Sequence, residues 1–187
     1  MSAIRCFFLA LLGASALAGP ALAERRVALA IGNANYASVN PLKNPVNDAT
    51  GVAQVLRGLG FEVTLVTDLD KANFEQRIFA FSNSLPGASA AVFYYAGHGM
   101  QVDGRNYMVP VDAKINDEAD LPFELVAMDI VLQRLAHHRI TNVVILDACR
   151  DNPLGNELSR KFGERSKAVT PGLANVDAGF GMVISFS

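Results

Sequence analysis

The chain has 187 residues, with 16 Lys or Arg, 18 Asp or Glu and a formal net charge of −2 at pH 7. This length fits a single domain with a sizeable core, and the absence of a basic stripe argues against nucleic acid as a partner. The sequence contains no P-loop or dinucleotide glycine fingerprint, and its three histidines and two cysteines lack the spacing of a zinc site.

Residues 1–23 are predicted to form a secretory signal peptide. Arg5 supplies the positive charge, Cys6–Ala18 is a short apolar stretch, and Ala21-Leu22-Ala23 is a small-x-small cleavage site. The apolar stretch is shorter than the roughly 20 residues of a membrane-spanning helix, and an uncleaved anchor is the alternative. We expect a secreted or periplasmic mature protein, residues 24–187, with no stable membrane insertion after cleavage.

The first predicted strand, Arg26–Ile31, is a β-branched and apolar run. A helix follows, with Asn44 as its N-cap and Pro45 at its first position, and Gly58 and Gly60 end it. Apolar residues at helical spacing predict its inner face: Val46, Ala49, Ala53, Leu56 and Leu59.

Phe61–Thr67 is the second predicted strand, and Asp70 caps a second helix. The third strand begins at Ala90 and leads directly to His98. The inner face of the second helix is predicted from four apolar residues at helical spacing: Phe74, Ile78, Phe81 and Leu85.

Asp103-Gly104 indicates a hairpin turn, with Tyr107–Val109 as the return strand. A third helix over Asp129–His138 precedes a fourth strand, Val143–Leu146, which leads to Cys149. This alternation predicts an α/β fold with a mostly parallel sheet and helices on both faces.

Acidic residues lie in and beside the loop after the hairpin. Their oxygens are ligands that Ca²⁺ accepts, but their spacing does not match an EF-hand. A solvated acidic loop explains them equally, so we predict no cofactor and no metal site, with Ca²⁺ as an open alternative. The residues are Asp112, Asp117, Glu118, Asp120 and Asp129.

His98 and Cys149 each follow a strand, and the carboxyl ends of parallel strands are where open α/β sheets place their chemistry. Signal cleavage would leave Cys149 as the only cysteine, and a lone thiol in an oxidising compartment is a liability unless it is buried or needed. An inert buried thiol is one interpretation. The paired strand ends favour the other, a Cys/His nucleophilic dyad.

Three motifs resemble those of caspase-like proteases. Ala148-Cys149-Arg150 resembles the caspase cysteine motif, whose histidine lies about 50 residues upstream, as His98 does here. Tyr95-Ala96-Gly97-His98-Gly99 resembles the histidine motif, and Asn47-Asp48-Ala49 resembles a metacaspase pattern. The chain thus resembles a bacterial caspase-like protease of the metacaspase or orthocaspase type, peptidase family C14.

The resemblance implies a three-layer sandwich with a large-subunit region to about residue 150, a linker over 151–179 and the start of a small-subunit region over 180–187. Because the strand pattern stops at Ser187, we expect either a C-terminally truncated domain or an edge strand. The resemblance also implies that Cys149 is the nucleophile and His98 the general acid/base. The N–H groups of Gly99 and Cys149 would form the oxyanion hole.

Asp147 and Asp48 match acidic residues of the metacaspase pocket for the substrate's P1 residue, which implies cleavage after Arg or Lys. The arginine with which caspases read P1 aspartate falls at Leu42, and the metacaspase pocket serine falls at Ala96. Each aspartate also has a structural interpretation, Asp48 at a helix N-terminus and Asp147 at a strand end.

The implied function is a cysteine endopeptidase acting on proteins or peptides. Two alternatives remain: a catalytically silent caspase-like module for binding or assembly, and a non-proteolytic thiol enzyme on the same scaffold.

Overall fold

The computed structural model describes residues 24–148, 158, 160, 169–170, 173–174 and 181–186. The predicted signal peptide, Cys149 and most of the predicted linker lie outside the described residues. Within the described ranges, no helix is long and apolar enough to cross a membrane.

Nine strands and four α-helices are formed by the described residues. The strands are β1 Arg26–Gly32, β2 Phe61–Thr67, β3 Ala90–Ala96, β4 Gly99–Val102, β5 Arg105–Met108, β6 Val126–Ala127, β7 Thr141–Asp147, β8 Val169–Thr170 and β9 Met182–Phe186. The helices are α1 Pro45–Gly58, α2 Lys71–Ser84, α3 Leu121–Glu124 and α4 Met128–Ala136, with a 3-10 turn at Glu118–Asp120.

The main sheet has five parallel strands in the order β2-β1-β3-β7-β9. Gly32 pairs with Ala96, and Ala96 pairs in turn with Asp147. The three central strands therefore end level with one another. The residues that follow these strands meet at one edge of the sheet, where an α/β fold places its ligands.

Alternate residues of the strands bury against different helices, so helices cover both faces of the sheet. Leu29 and Ile31 pack in one cluster with Phe74 of α2 and residues of α4. Ala30, between them in the strand, packs on the other face in a cluster with α1. This arrangement confirms the predicted α/β architecture with a mostly parallel sheet and helices on both faces.

The first helix matches its predicted bounds but not all of its predicted inner face. Ala49 and Ala53 are fully buried, whereas Leu59 is 56% exposed, so its assignment to the inner face was wrong. The helix ends at Gly58, and Leu59 follows as the C-cap residue with its backbone N–H bonded to the last turn. Asn44 stands at the N-cap position, but its side chain makes no capping hydrogen bond.

The second helix agrees closely with the sequence. The Asp70 side chain accepts a hydrogen bond from the Asn73 N–H, as predicted for an N-cap. The predicted inner face is buried throughout: Phe74, Ile78, Phe81 and Leu85.

A second, antiparallel sheet has the order β6-β5-β4-β8. Its hairpin turn has φ values of 48° at Asp103 and 76° at Gly104, as the tight turn with two left-handed residues requires. Because β4 begins at Gly99, this sheet starts immediately after His98.

The loop after β1 is tied to the rest of the domain by Asn33 and Asp68. The Asn33 side chain is fully buried; it donates to the carbonyls of Leu69 and Val109 and accepts from the Leu69 N–H. The Asp68 carboxylate accepts from the Ala34 and Asn35 backbone N–H groups at 2.8 and 2.9 Å. These bonds give the start of the loop one defined path.

Acid should weaken this anchor. Desolvation opposes ionisation of Asp68, but the N–H groups of Asn35 and Ala34 outweigh it and hold the pKa of Asp68 below its ordinary value of 3.8. The stabilisation is therefore present above the unfolded-state pKa and is lost as pH falls through the folded-state pKa.

We expect Asp68→Asn to lower the free energy of unfolding by about 1–2 kcal/mol near pH 7, a range reduced for partial exposure to water. The difference from wild type should shrink below about pH 4, where the wild-type carboxylate also becomes neutral. Urea unfolding from pH 3 to 7 measures this, with Asp103→Asn at the exposed hairpin turn as control. A constant difference across this range would contradict the assignment.

Candidate active site

His98 lies in the short connection between β3 and β4 and is 3% exposed. Its backbone N–H donates to the Tyr36 hydroxyl at 2.7 Å, and the two rings pack with centroids 4.6 Å apart. The imidazole Nε2 lies 3.2 Å from the backbone oxygen of Asn40. The loop that follows β1 thus contacts both the main chain and the ring of His98.

The contact with Asn40 assigns the hydrogen on the imidazole. A carbonyl oxygen can only accept, so Nε2 carries the hydrogen in this hydrogen bond. In the neutral ring Nδ1 is then the basic nitrogen. The same carbonyl stabilises the ring when it is doubly protonated, which is the role of an orienting group behind a catalytic histidine.

Sequence reasoning identified no third member behind the dyad, and the structure supplies the Asn40 carbonyl in that place. The group belongs to the main chain and is present at every residue. It is therefore invisible to a search for side-chain types.

The region around Cys149 is defined by its neighbours, since Cys149 itself lies outside the described residues. Gly97 N–H donates to the Asp147 carbonyl at 3.2 Å. A Cβ atom added to Gly99 would lie 3.0 Å from the Cβ of Ala148. Residues 97–99 and 147–148 are therefore adjacent, and continuing the Ala96–Asp147 register pairs position 98 with position 149. The Cys149/His98 dyad and the oxyanion hole at Gly99 and Cys149 stay predictions that this adjacency supports.

The two predicted pocket aspartates are related through Tyr94. The Tyr94 hydroxyl donates to Asp147 Oδ2 at 3.0 Å. Burial first, then this hydrogen bond and the charges of Asp147 and Asp48, raise the pKa of the Tyr94 hydroxyl. Both carboxylates therefore act electrostatically on one buried side chain, Asp147 from the end of β7 and Asp48 from the first turn of α1.

Tyr94 was not singled out from the sequence. It stands within an apolar strand run, where a tyrosine has the same pattern as any other core residue. Ala96, where the metacaspase pattern has a pocket serine, is the register partner of Asp147 and is buried.

The acidic residues considered for Ca²⁺ have partners within the protein. Asp112 Oδ1 accepts from the Lys71 N–H, Asp120 Oδ2 accepts from the Asn116 and Asp117 N–H groups, and Asp129 forms an ion pair with Arg105. Over the residues that the structure describes, no group of three or more His, Cys, Asp and Glu side chains could hold a metal ion.

Comparison with known proteins gives one family. A model of the caspase domain of C14 peptidases matches residues 25–186. The human mucosa-associated lymphoid tissue lymphoma translocation protein 1 is 33% identical over 130 residues, which is 69% of this chain and 15% of that protein. Its mouse homolog is 32% identical over 133 residues, covering 71% of this chain and 16% of that protein. The chain thus spans a small part of the length of these relatives.

A solved structure supports the same architecture. Protein GSU0716 from Geobacter sulfurreducens superimposes with a TM-score of 0.54 at 18% sequence identity, over 73% of this chain and 55% of that chain. At this level of identity the similarity concerns the fold alone.

Proposed function

This chain belongs to the caspase domain family of C14 peptidases, and we propose that it is a cysteine endopeptidase using a dyad of Cys149 and His98. Members of the family are cysteine peptidases, which makes proteins or peptides the substrate class. One observation carries the proposal furthest. The β3–β7 register aligns position 98 with position 149, where the Asn40 carbonyl holds the imidazole of His98.

The chemistry follows from these positions. The Cys149 thiolate would attack the scissile carbonyl carbon, and the resulting oxyanion would accept hydrogen bonds from the Gly99 and Cys149 N–H groups. The protonated His98 would then give a proton to the leaving amine as the C–N bond breaks. Water, deprotonated by His98, would hydrolyse the thioester and release the thiol.

We further propose a basic P1 residue, Arg or Lys, and a metacaspase-like pocket. The support is Asp147, oriented by the Tyr94 hydroxyl at 3.0 Å, and the charge of Asp48, which is felt at the same hydroxyl. Two carboxylates at one site suit a cationic side chain. The position of the caspase P1 arginine is occupied by Leu42, whose half-buried side chain packs in an apolar cluster.

We also propose that residues 1–23 direct export, so that the peptidase works in a secreted or periplasmic setting. The support is the sequence pattern of the segment alone, which lies outside the described residues.

Cys149→Ala and His98→Ala should each abolish peptidase activity without unfolding the domain, because one removes the nucleophile and the other the proton donor. Fluorogenic peptides measure the activity, and circular dichroism with thermal melting checks the fold. A folded variant that retains near-wild-type turnover would show that the dyad assignment is wrong. Inactivity of the wild type on every peptide, with the fold intact, would favour the silent binding module.

A peptide panel with P1 Arg, Lys, Asp and Asn should show kcat/KM highest for Arg or Lys. Asp147→Ala should raise the barrier for basic substrates by about 1.5–3 kcal/mol, the scale of a hydrogen bond to a charged group. Asp112→Ala, a carboxylate bonded to the start of α2, is the matched control and should keep the wild-type preference. A panel in which P1 Asp is cleaved fastest would contradict this pocket.

A further inference from the structure

We infer that Tyr36 and Tyr95 are positioning residues: their hydroxyls hold the peptide groups on either side of His98, which fixes the direction of its imidazole and of the Gly99 N–H. The inference rests on the proposed peptidase function for its catalytic consequence, but the geometry stands on its own.

The two hydroxyls and His98 form a closed circuit of hydrogen bonds. The His98 N–H donates to the Tyr36 oxygen at 2.7 Å. The Tyr95 hydroxyl donates to the His98 carbonyl oxygen at 2.7 Å. Since Tyr95 has a single hydrogen, the hydroxyl contact of 3.4 Å between the two tyrosines is donated by Tyr36.

This circuit replaces a bond that a regular ladder would contain. Val109 lies opposite His98 in the β4–β5 register, and its N–H donates to the His98 carbonyl at 3.0 Å. The return bond of such a pair would run from the His98 N–H to the Val109 carbonyl. Instead, Tyr36 accepts from the His98 N–H, while the Val109 carbonyl lies 3.2 Å from the Tyr95 hydroxyl. The tyrosines therefore release His98 from the sheet without leaving its peptide groups unsatisfied.

The same circuit determines where the Gly99 N–H points. The His98 carbonyl and the Gly99 N–H belong to one peptide group, and no described peptide bond is cis. The two bonds of a trans peptide point in opposite directions. With Tyr95 and Val109 holding the carbonyl, the Gly99 N–H is directed away from β5. That N–H is the donor proposed for the oxyanion hole.

Gly97 fits this arrangement sterically. A Cβ atom at this position would lie 2.6 Å from the Tyr36 hydroxyl and 2.6 Å from the Tyr95 hydroxyl. No larger residue could occupy the position without displacing both. The glycine before the histidine is therefore required by the circuit.

Both tyrosines keep their hydrogens over the working range of a cysteine peptidase. Tyr95 is fully buried and Tyr36 nearly so. Burial raises the pKa of Tyr36 to about 12 and that of Tyr95 well above 10.0. The circuit is consequently insensitive to pH near neutrality, and any titration of activity there belongs to other groups.

The test compares Tyr36→Phe and Tyr95→Phe, which keep the rings and remove only the hydroxyls. Each should lower kcat about 10–100-fold, as expected for a displaced catalytic group, while KM changes less than about threefold. Tyr107→Phe is the matched control, because the Tyr107 hydroxyl makes no hydrogen bond within the part of the chain that the structure describes. It should retain wild-type kcat. Wild-type kcat in either folded tyrosine variant would overturn the inference for that residue.

A second readout does not depend on peptidase activity. Amide hydrogen exchange by NMR should be faster at His98 in Tyr36→Phe, and at Gly99 in Tyr95→Phe, by about fivefold or more over Tyr107→Phe. If the wild type cleaves no peptide, the proposed function fails, and the exchange rates alone decide the positioning role. Unchanged exchange at both amides would refute it whatever the activity.

Discussion

The parallel pairing of β3 with β7 is the constraint on which the candidate site depends. Its register joins Ala96 to Asp147, so the residues two positions beyond each strand are brought to the same edge of the sheet. A shift of one residue would move every side chain of β7 to the other face. It would also separate position 98 from position 149. The alternating burial of β7, with Val144 and Leu146 in the core, keeps that register.

The second requirement is a fixed orientation for His98, which the sheet cannot provide because the residue lies beyond the strand. The loop between β1 and α1 supplies it through the Tyr36 hydroxyl and the Asn40 carbonyl. Asn33 and Asp68 in turn fix the start of that loop. Stability and function are therefore linked here, since weakening the Asp68 anchor also loosens two of the groups that hold the imidazole.

Much of the fold was predictable, because the relevant signals are local. The bounds of β2, the cap at Asp70 and the turn at Asp103-Gly104 each follow from a short run of residues. The contacts that orient His98 were not predictable in this way. They join residues 58 and 62 positions apart, and one of them uses a backbone carbonyl. Tyr94 and Tyr95 stand in an apolar strand, where nothing in the sequence distinguishes a structural hydroxyl from one that serves the site.

The most direct test of a site built at these two strand ends is covalent trapping. A peptidyl acyloxymethyl ketone with P1 Arg should label the wild-type protein once, at Cys149, as read by intact mass and peptide mapping. The labelling rate should fall roughly 100-fold or more in His98→Ala, the lower end of what a positioned acid/base contributes. Equal labelling rates in the two proteins, or an adduct at another residue, would contradict the account.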